Sequence, residues 1–488
     1  MRVTTHRFKA VVKKEIADLS SRTFLSFLPP LFAALRQAAM ASFPDPAGAH
    51  AYAADIRAEV VAHLPELLEE FERNATGHGA KVIWARDAQE ANEFILNLAK
   101  EKNITLVTKG KSMVSEEIGI NEVLLGNGIE TYETDLGEFI TQQLDRPPFH
   151  IVGPAVNISL QEICDLFMEK AGMTEPTMDP VKLGYAARLF LRDKFHRVEM
   201  GITGVNMAVA ETGSLINVEN EGNIRLSKSS PRIQVALMSI EKVVPTMKDA
   251  LHLVRVLCRH CTGQAISAYV SIDTGPKRPG EIDGPEELYI VIVDNGRSTF
   301  YRDLRAREVL RCIRCGACMN NCPVYTTIGG YPYGWAYSGP MGQALNPLLL
   351  GLEQTQDLYR ACTLCGSCKT VCPAGVDHPG LFLYYRTKDV EGDRAFGGMT
   401  RHWKETTAFR LFTYGTTHPW FWNLASKIIR PFYNNGARDG MVSELPGPFE
   451  AWFRSRNLPA MPKRTFHEEW KRIGKIPAEG PTHGSAPE

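Results

Sequence analysis

Apolar residues recur at helical intervals through the first 75 positions, most clearly from Asp55 to Phe71 (DIRAEVVAHLPELLEEF), where acidic residues fill the other face. Near position 79 the period changes. Ala80–Ala85 (AKVIWA) is a short apolar run of the kind that forms a buried strand, and Asp87 is placed to cap a helix over AQEANEFILNLAKEK. Further strands are predicted at 104–107, 129–133 and 150–153, with a helix near 113–127. Strands alternating with helices predict βαβ units and a mostly parallel sheet.

From Gly201 the pattern shortens. GITGVNMAVAETGSLINVENEGNIRLS alternates apolar and small residues with glycines at the turns, and predicts strand, turn, strand. Positions 235–240 and 241–244 continue the sheet. Positions 271–287 (SIDTGPKRPGEIDGPEE) read as a long Gly- and Pro-rich loop, and 288–293 as a last strand. The chain falls into a helical arm (1–75), an α/β domain (76–298), a mainly helical cysteine-bearing domain (299–395) and a C-terminal helical region with a tail (396–488). The last region carries Trp403, Trp420, Trp422, Trp452 and Trp470, and ends in IPAEGPTHGSAPE.

The chemistry enters with the cysteines. Cys312, Cys315, Cys318 and Cys322 precede Pro323, and Cys362, Cys365, Cys368 and Cys372 precede Pro373. Both runs read C-x2-C-x2-C-x3-C-P, the spacing that holds cubane iron–sulfur clusters. Three thiolates at this spacing share a tight loop, while the fourth is carried to the other cluster. One [4Fe–4S] cluster is therefore assigned to Cys312, Cys315, Cys318 and Cys372, and a second to Cys362, Cys365, Cys368 and Cys322. Gly316, Ala317, Gly366 and Ser367 leave room for inorganic sulfide. Structural zinc favours two separated C-x2-C pairs, often with histidine, and disulfides belong to oxidising compartments. Eight of 11 cysteines are used in this way, which implies a reducing cytoplasm.

The 488 residues balance 55 basic against 55 acidic side chains, so no basic field points to nucleic acid. The N-terminus is basic, then apolar, and is interrupted by polar residues and Pro29-Pro30, which favours an amphipathic arm over a signal peptide. No stretch is long and apolar enough to span a bilayer, although the arm leaves peripheral contact with the inner membrane face open.

Other candidates are less specific. TKGKS (Thr108–Ser112) lacks the first glycine of a P-loop, but Lys109 or Lys111 could hold an anion, and Lys109 is a weak catalytic candidate. Glu211, where two strands meet, is a second, and with Asn206, Asn217, Asn220 and Glu221 it could line a polar pocket or simply bond within turns. Glu116, Glu117, Asp135 and Glu138 are weaker pocket candidates. Cys258 and Cys261 form an isolated C-x2-C pair that could take zinc with His260 or Cys164, or be two ordinary helical thiols. Asp377 and His378 could cap the second cluster loop. Gly329–Trp335 could cover a cluster, meet a partner or fill a core. Arg232 and His150 could serve as carboxylate clamp and base. No G-x-G-x-x-G follows a strand, so there is no nicotinamide or flavin fingerprint.

VTKGKSMVSEEIGIN, GITGVNMAVAETGSLINVENEGN and SAYVSIDTGPKRPGEIDGPEELYIVIVDNGRS resemble the LUD (lactate utilisation) domain, of the NagB/RpiA/CoA-transferase-like fold class. With CIRCGACMNNCPVY, CTLCGSCKTVCPAGVD and the C-terminal LPGPFEAWFRSRNLPAMPKRTFHEEW, the chain resembles the LutB family of iron–sulfur proteins over roughly residues 1–475. The resemblance implies a cytoplasmic three-subunit system that oxidises L-lactate to pyruvate without a nicotinamide. The partners would be a LutA-like CCG-domain subunit and a LutC-like LUD subunit, with a quinone or another carrier as electron acceptor. This chain would be the electron-transferring member. Two alternatives stand beside it: the same role for another 2-hydroxy acid such as glycolate, or a catalytic CoA-transferase-like LUD domain with Glu211 as nucleophile and structural clusters.

Overall fold

Ten strands carry the α/β region of the computed structural model, which describes residues 3–392, 403–445, 447, 450–453 and 455–473. They are β1 (Lys81–Ala85), β2 (Leu106–Lys109), β3 (Glu130–Glu133), β4 (Met200–Gly204), β5 (Met207–Val209), β6 (Ser214–Glu219), β7 (Ile233–Ser239), β8 (Val243–Val244), β9 (Tyr269–Asp273) and β10 (Glu287–Val293). Six of them form a sheet in the order β1-β10-β7-β4-β2-β3. Every pairing is parallel, for example Val291 opposite Leu237 and Ile202 opposite Val235.

Alternate residues of the central strands enter different cores. Val235, Leu237, Val291 and Val293 pack with Ile95, Ile118 and Leu124 on one face, while Ala236, Met238, Ile290 and Ile292 pack on the other. A parallel strand covered on both faces has no polar side to show, which is why β7 and β10 are continuous apolar runs. The remaining four strands form a mixed sheet, β8-β5-β6-β9, in the second core.

The N-terminal helices α1 (Phe8–Ala17), α2 (Leu19–Met40), α3 (Pro46–Ala62) and α4 (Leu64–Gly77) belong to that same core. Arg57 on α3 is the tie. Its guanidinium donates to the carbonyls of Glu241 (2.7 Å) and Val243 (3.3 Å) in the α/β region, and to Leu310 (2.7 Å) and Arg311 (2.9 Å) just before the first cysteine. The arm read from the sequence is thus a wedge between the sheet and the cysteine region. Residues 1–400 form one compact unit and 401–488 another. The second contains helices Trp403–Thr417, Pro419–Asn434 and Phe466–Ile473 and a small antiparallel sheet. Trp403, Trp420, Trp422 and Trp470 are exposed. The expected boundary at 395/396, the tail from Ile476 and the side chain of Trp452 lie outside the described residues.

The structure corrects the sequence reading in several places. Positions 150–153 are not a strand: Pro147, Pro148 and Pro154 flank them and remove donors a ladder would need, and the Val152 N–H bonds the His150 ring instead (3.1 Å). NIRLS is not strand but the start of a helix, Asn223–Ser229, because the Glu219 carboxylate accepts the N–H groups of Ile224 (2.7 Å) and Arg225 (2.9 Å) and satisfies its first turn. Strand β9 occupies the start of the expected 271–287 loop. Helices Leu136–Gln143, Leu160–Lys170 and Pro180–Arg197, in a segment given only one short strand by the sequence, form a separate small core around Phe139 and Phe167. No helix among the described residues is long and apolar enough to cross a membrane.

Candidate functional site

The two cysteine loops fold alike. Arg314 (φ 63°) and Leu364 (φ 57°), each two residues after the first cysteine, are left-handed, as are Gly316 (φ 77°) and Gly366 (φ 83°). One helical turn follows in each, Ala317–Asn320 and Ser367–Thr370. Such turns curl the backbone so that its N–H groups face the sulfurs. Arg314 N lies 3.4 Å from Cys312 Sγ and Leu364 N 3.3 Å from Cys362 Sγ. Tyr325 N and Val376 N approach Cys322 Sγ (3.5 Å) and Cys372 Sγ (3.4 Å).

The sulfurs gather across the motifs. Cys312, Cys315, Cys318 and Cys372 line one small apolar cavity with Ile151, Met319, Met341 and His378. Cys322, Cys362, Cys365 and Cys368 line another with Val324, Pro340, Gln343 and Phe382. After burial, the largest influence raising the Cys372 thiol, to about 11, is Cys312. For Cys368, pushed up to about 12, it is Cys322. Burial and neighbouring sulfurs also hold Cys315 and Cys318 well above the usual thiol range. Thiols so placed become thiolates only if a strongly positive group sits among them. They are not gathered tightly enough for a single ion. Among the described residues, the three-or-more ligand set with all donor atoms within 4.8 Å is Glu116, Glu133 and Glu138, whereas zinc draws its sulfurs to about 2.3 Å from one centre. Two apolar-lined nests of four sulfurs, with backbone N–H groups turned toward them, fit a multi-iron core. All 11 cysteines are free of disulfides.

A buried ionic chain joins the first nest to the sheet. Glu117, on the helix after β2, receives both terminal nitrogens of Arg297 (2.8 and 2.7 Å) and the Tyr337 hydroxyl. Arg297, just after β10, pairs through Nε with Glu241 (3.1 Å), and Glu241, just after β7, pairs with Arg314 (2.8 Å) inside the first cysteine loop. Glu117, Glu241 and Arg297 are wholly buried. Burial would raise the Glu241 carboxyl, but Arg297 and Arg314 pull it down to about 2. Nothing in the local sequence pairs these residues; only the convergence of strand ends does.

The same strand ends frame a cavity of about 330 Å³. Sheet order reverses direction between β2 and β4, and a parallel sheet leaves a crevice at the carboxyl ends where that happens. Lys111 and Ser112 follow β2, Gly204 ends β4 and Asn206 follows it, Asn217 to Glu221 come from β6 and its turn, and Lys242 follows β7. Cys258 and Cys261 on the helix Met247–Cys261, and Arg314, complete the wall. Ile151 and Arg314 line both this cavity and the first cysteine nest. The Lys242 ammonium forms no hydrogen bond or ion pair among the described residues, and the negative groups acting on it are Glu241 and Cys312. Burial and the Arg314 charge lower its pKa to about 8. Sequence reasoning passed over Lys242 and Arg314, since neither sits in a motif.

Of the other sequence candidates, Asn206, Asn217, Asn220, Glu221 and Asp135 line the cavity. Glu211 does not: it is exposed, and its carboxylate accepts the Met247 N–H (3.0 Å) at the start of a helix. Lys109 does not either. It is completely buried and paired with Glu116 (2.9 Å) and Glu133 (2.7 Å), which hold its ammonium well above the usual lysine range against the pull of burial. Glu138 stands beside that group, and Glu117 belongs to the ionic chain. Cys258 and Cys261 lie on the helix Met247–Cys261, and the three-ligand set found among the described residues does not include them. His150 is buried against Asn320, and Arg232 is exposed and paired with Glu286, so neither lines the cavity. Asp377 caps the helix after the second motif, and His378 is buried at the wall of the first nest. The Gly329–Trp335 loop is core, with Tyr333 buried against Phe8.

Comparison with known proteins agrees with this organisation. The LUD domain profile matches residues 68–293, a 4Fe–4S dicluster domain residues 308–376, and the C-terminal domain of lactate utilisation protein B residues 388–475. Lactate utilization protein B of Geobacillus kaustophilus is 40% identical over 417 residues, covering 85% of this chain and 86% of that protein. The Bacillus licheniformis protein of the same name is 38% identical over 473 residues, covering 96% and 97%. A crystal structure of a DUF162 family protein from Deinococcus radiodurans aligns at 13% identity with a TM-score of 0.27, over 47% of this chain and 98% of that one. By sequence similarity along nearly its whole length, the chain belongs to the lactate utilization protein B family.

Proposed function

We propose that this chain is the iron–sulfur electron-transfer subunit of a complex that oxidises L-lactate to pyruvate, working with a CCG-domain subunit and a small LUD subunit. The observation that carries the reading is the crossed pair of nests, each a three-cysteine loop completed by the last cysteine of the other motif. In this reading Cys312, Cys315, Cys318 and Cys372 hold one [4Fe–4S] cluster, and Cys362, Cys365, Cys368 and Cys322 a second. Such clusters exchange one electron at a time, at potentials set by charge, hydrogen bonds and burial. The chain's own residues supply those influences: backbone N–H groups on the sulfurs, the Arg314 and Lys242 charges beside the first nest, and an apolar lining that keeps water out.

Anaerobic EPR of the chain, with and without copurifying partners, tests the reading. Reduced, interacting [4Fe–4S] signals are expected on adding L-lactate when the partners are present. Clusters that stay silent to lactate in every preparation would remove lactate as the donor, and response to glycolate instead would change the substrate while keeping the role. The position of Glu211 at a helix start, outside the cavity, gives no support to an acyl-transfer reading.

A further inference from the structure

Half-buried Lys242 lines the cavity beside Arg314 with no hydrogen bond or ion pair to its ammonium. Its neighbour Glu241 is already shared by Arg297 and Arg314, and Arg57 spends its donors on four carbonyl groups. No carboxylate pairs with Lys242, so at the cavity wall Lys242 and Arg314 present cationic donors to whatever enters, with the first cysteine nest on the far side of Arg314. The rest of the lining limits what can enter. Asp135, Glu219 and Glu221 are acidic, Lys111 is basic but bonded to the Val152 carbonyl (3.1 Å), and Val205 and Leu257 are apolar. A multiply charged anion would meet the carboxylates, whereas a single carboxylate on a short carbon chain would not.

We propose that the cavity at the carboxyl ends of β2 and β4 binds a small organic monocarboxylate of the 2-hydroxy or 2-oxo acid class, with Lys242 as its anchoring cation and Arg314 alongside. The site's anion preference follows from the charges, and the choice of a 2-hydroxy or 2-oxo acid rests on the function proposed above. At about 330 Å³ the cavity is at the small end of ligand sites, in keeping with a small acid. Because Ile151 and Arg314 form both walls, the bound acid lies one side chain from the first cysteine nest. Asn206 has a side-chain donor left after its oxygen accepts the Val218 N–H (2.9 Å), and it faces the same space.

Equilibrium dialysis of the anaerobically purified full chain against labelled pyruvate and labelled L-lactate tests this, with iron content measured on each variant to verify folding. Saturable binding of at least one of the two acids at one site per chain is expected. Lys242→Met should weaken it at least tenfold, Lys242→Arg should retain it, and Glu211→Gln should leave it unchanged. No saturable binding to the wild-type chain, or equal binding to Lys242→Met, overturns the proposal. Inorganic phosphate competing as well as pyruvate overturns the carboxylate assignment. Failure here is separable from failure of the functional reading: binding without lactate-driven cluster reduction removes the latter, and reduction with no binding removes only this site.

Discussion

The loop from Cys312 to Pro323 and the loop from Cys362 to Pro373 share spacing, left-handed positions and a closing helical turn, yet they sit in different surroundings. The first is walled by buried charges. Arg314 projects from it into the Glu241–Arg297–Glu117 chain, and the cavity at the strand ends lies behind Ile151. The second reaches the surface. Cys365 is exposed, and its thiol is lowered by the N–H and hydroxyl of Ser367. Lys369 and Asp377 pair beside it in solvent. Identical local codes thus make one inward-facing and one outward-facing nest. The difference lies in what the rest of the chain lays over them.

That contrast can be broken at the ligands first. Cys372→Ser, although a change in the second motif, is expected to empty the inward nest and cost about half the iron. Iron and sulfide analysis should show the surviving cluster to be the solvent-facing one, released quickly by chelator. Loss of the solvent-facing cluster instead would mean that each motif is self-contained.

The buried ionic chain is next. Arg297→Met leaves Glu117 and Glu241 without their shared partner, and should destabilise the chain by about 3–5 kcal/mol in denaturant unfolding. Arg386 serves the outward nest through hydrogen bonds to the carbonyls of Tyr359 (2.8 Å) and Cys362 (2.8 Å), so Arg386→Met should cost only about 1–2 kcal/mol. Equal losses would erase the distinction between the two environments.

Acid should also act from the inside. Burial lowers His150 and His260 to about 4, so both stay neutral in the folded chain while the unfolded chain protonates them. The unfolded state then binds more protons between pH 6.5 and 4, and stability falls as pH drops through that window, by up to roughly 3 kcal/mol per histidine. His260→Gln should flatten the acid limb of an unfolding-versus-pH curve. An unchanged limb would mean that this ring is not held neutral.

The smallest effect expected is kinetic. Under air or chelator the nest containing exposed Cys365 should lose iron several-fold faster than the nest containing Cys315 and Cys318, followed by EPR over time. Simultaneous loss would argue that exposure does not set lability.

Much of this was legible in the sequence. Strand periodicity located most of the parallel sheet, since β7 and β10 are apolar throughout and read as strands covered on both faces. The cysteine spacing marked the two loops whose sulfurs line the two nests. What failed was local context. The Glu219 carboxylate turned a strand-like stretch into a helix by capping it, and three prolines kept 150–153 out of the sheet. Lys109 looked like the reactive lysine of TKGKS, but at the end of a buried strand its side chain meets Glu116 and Glu133, while Lys111, two residues on, faces the cavity.

By itself the sequence determined the secondary elements with strong period, the two cysteine loops and the family. Those are written over a few neighbouring residues, where backbone sterics and spacing decide the outcome. Only the tertiary structure decided that Glu117, Glu241, Arg297 and Arg314 form one buried chain, that Lys242 is left unpaired beside it, and that α3 locks the sheet to the first cysteine loop through Arg57. These groups lie far apart along the chain. They meet because the carboxyl ends of parallel strands converge, and the cost of burying each charge is met only by partners that folding brings from elsewhere.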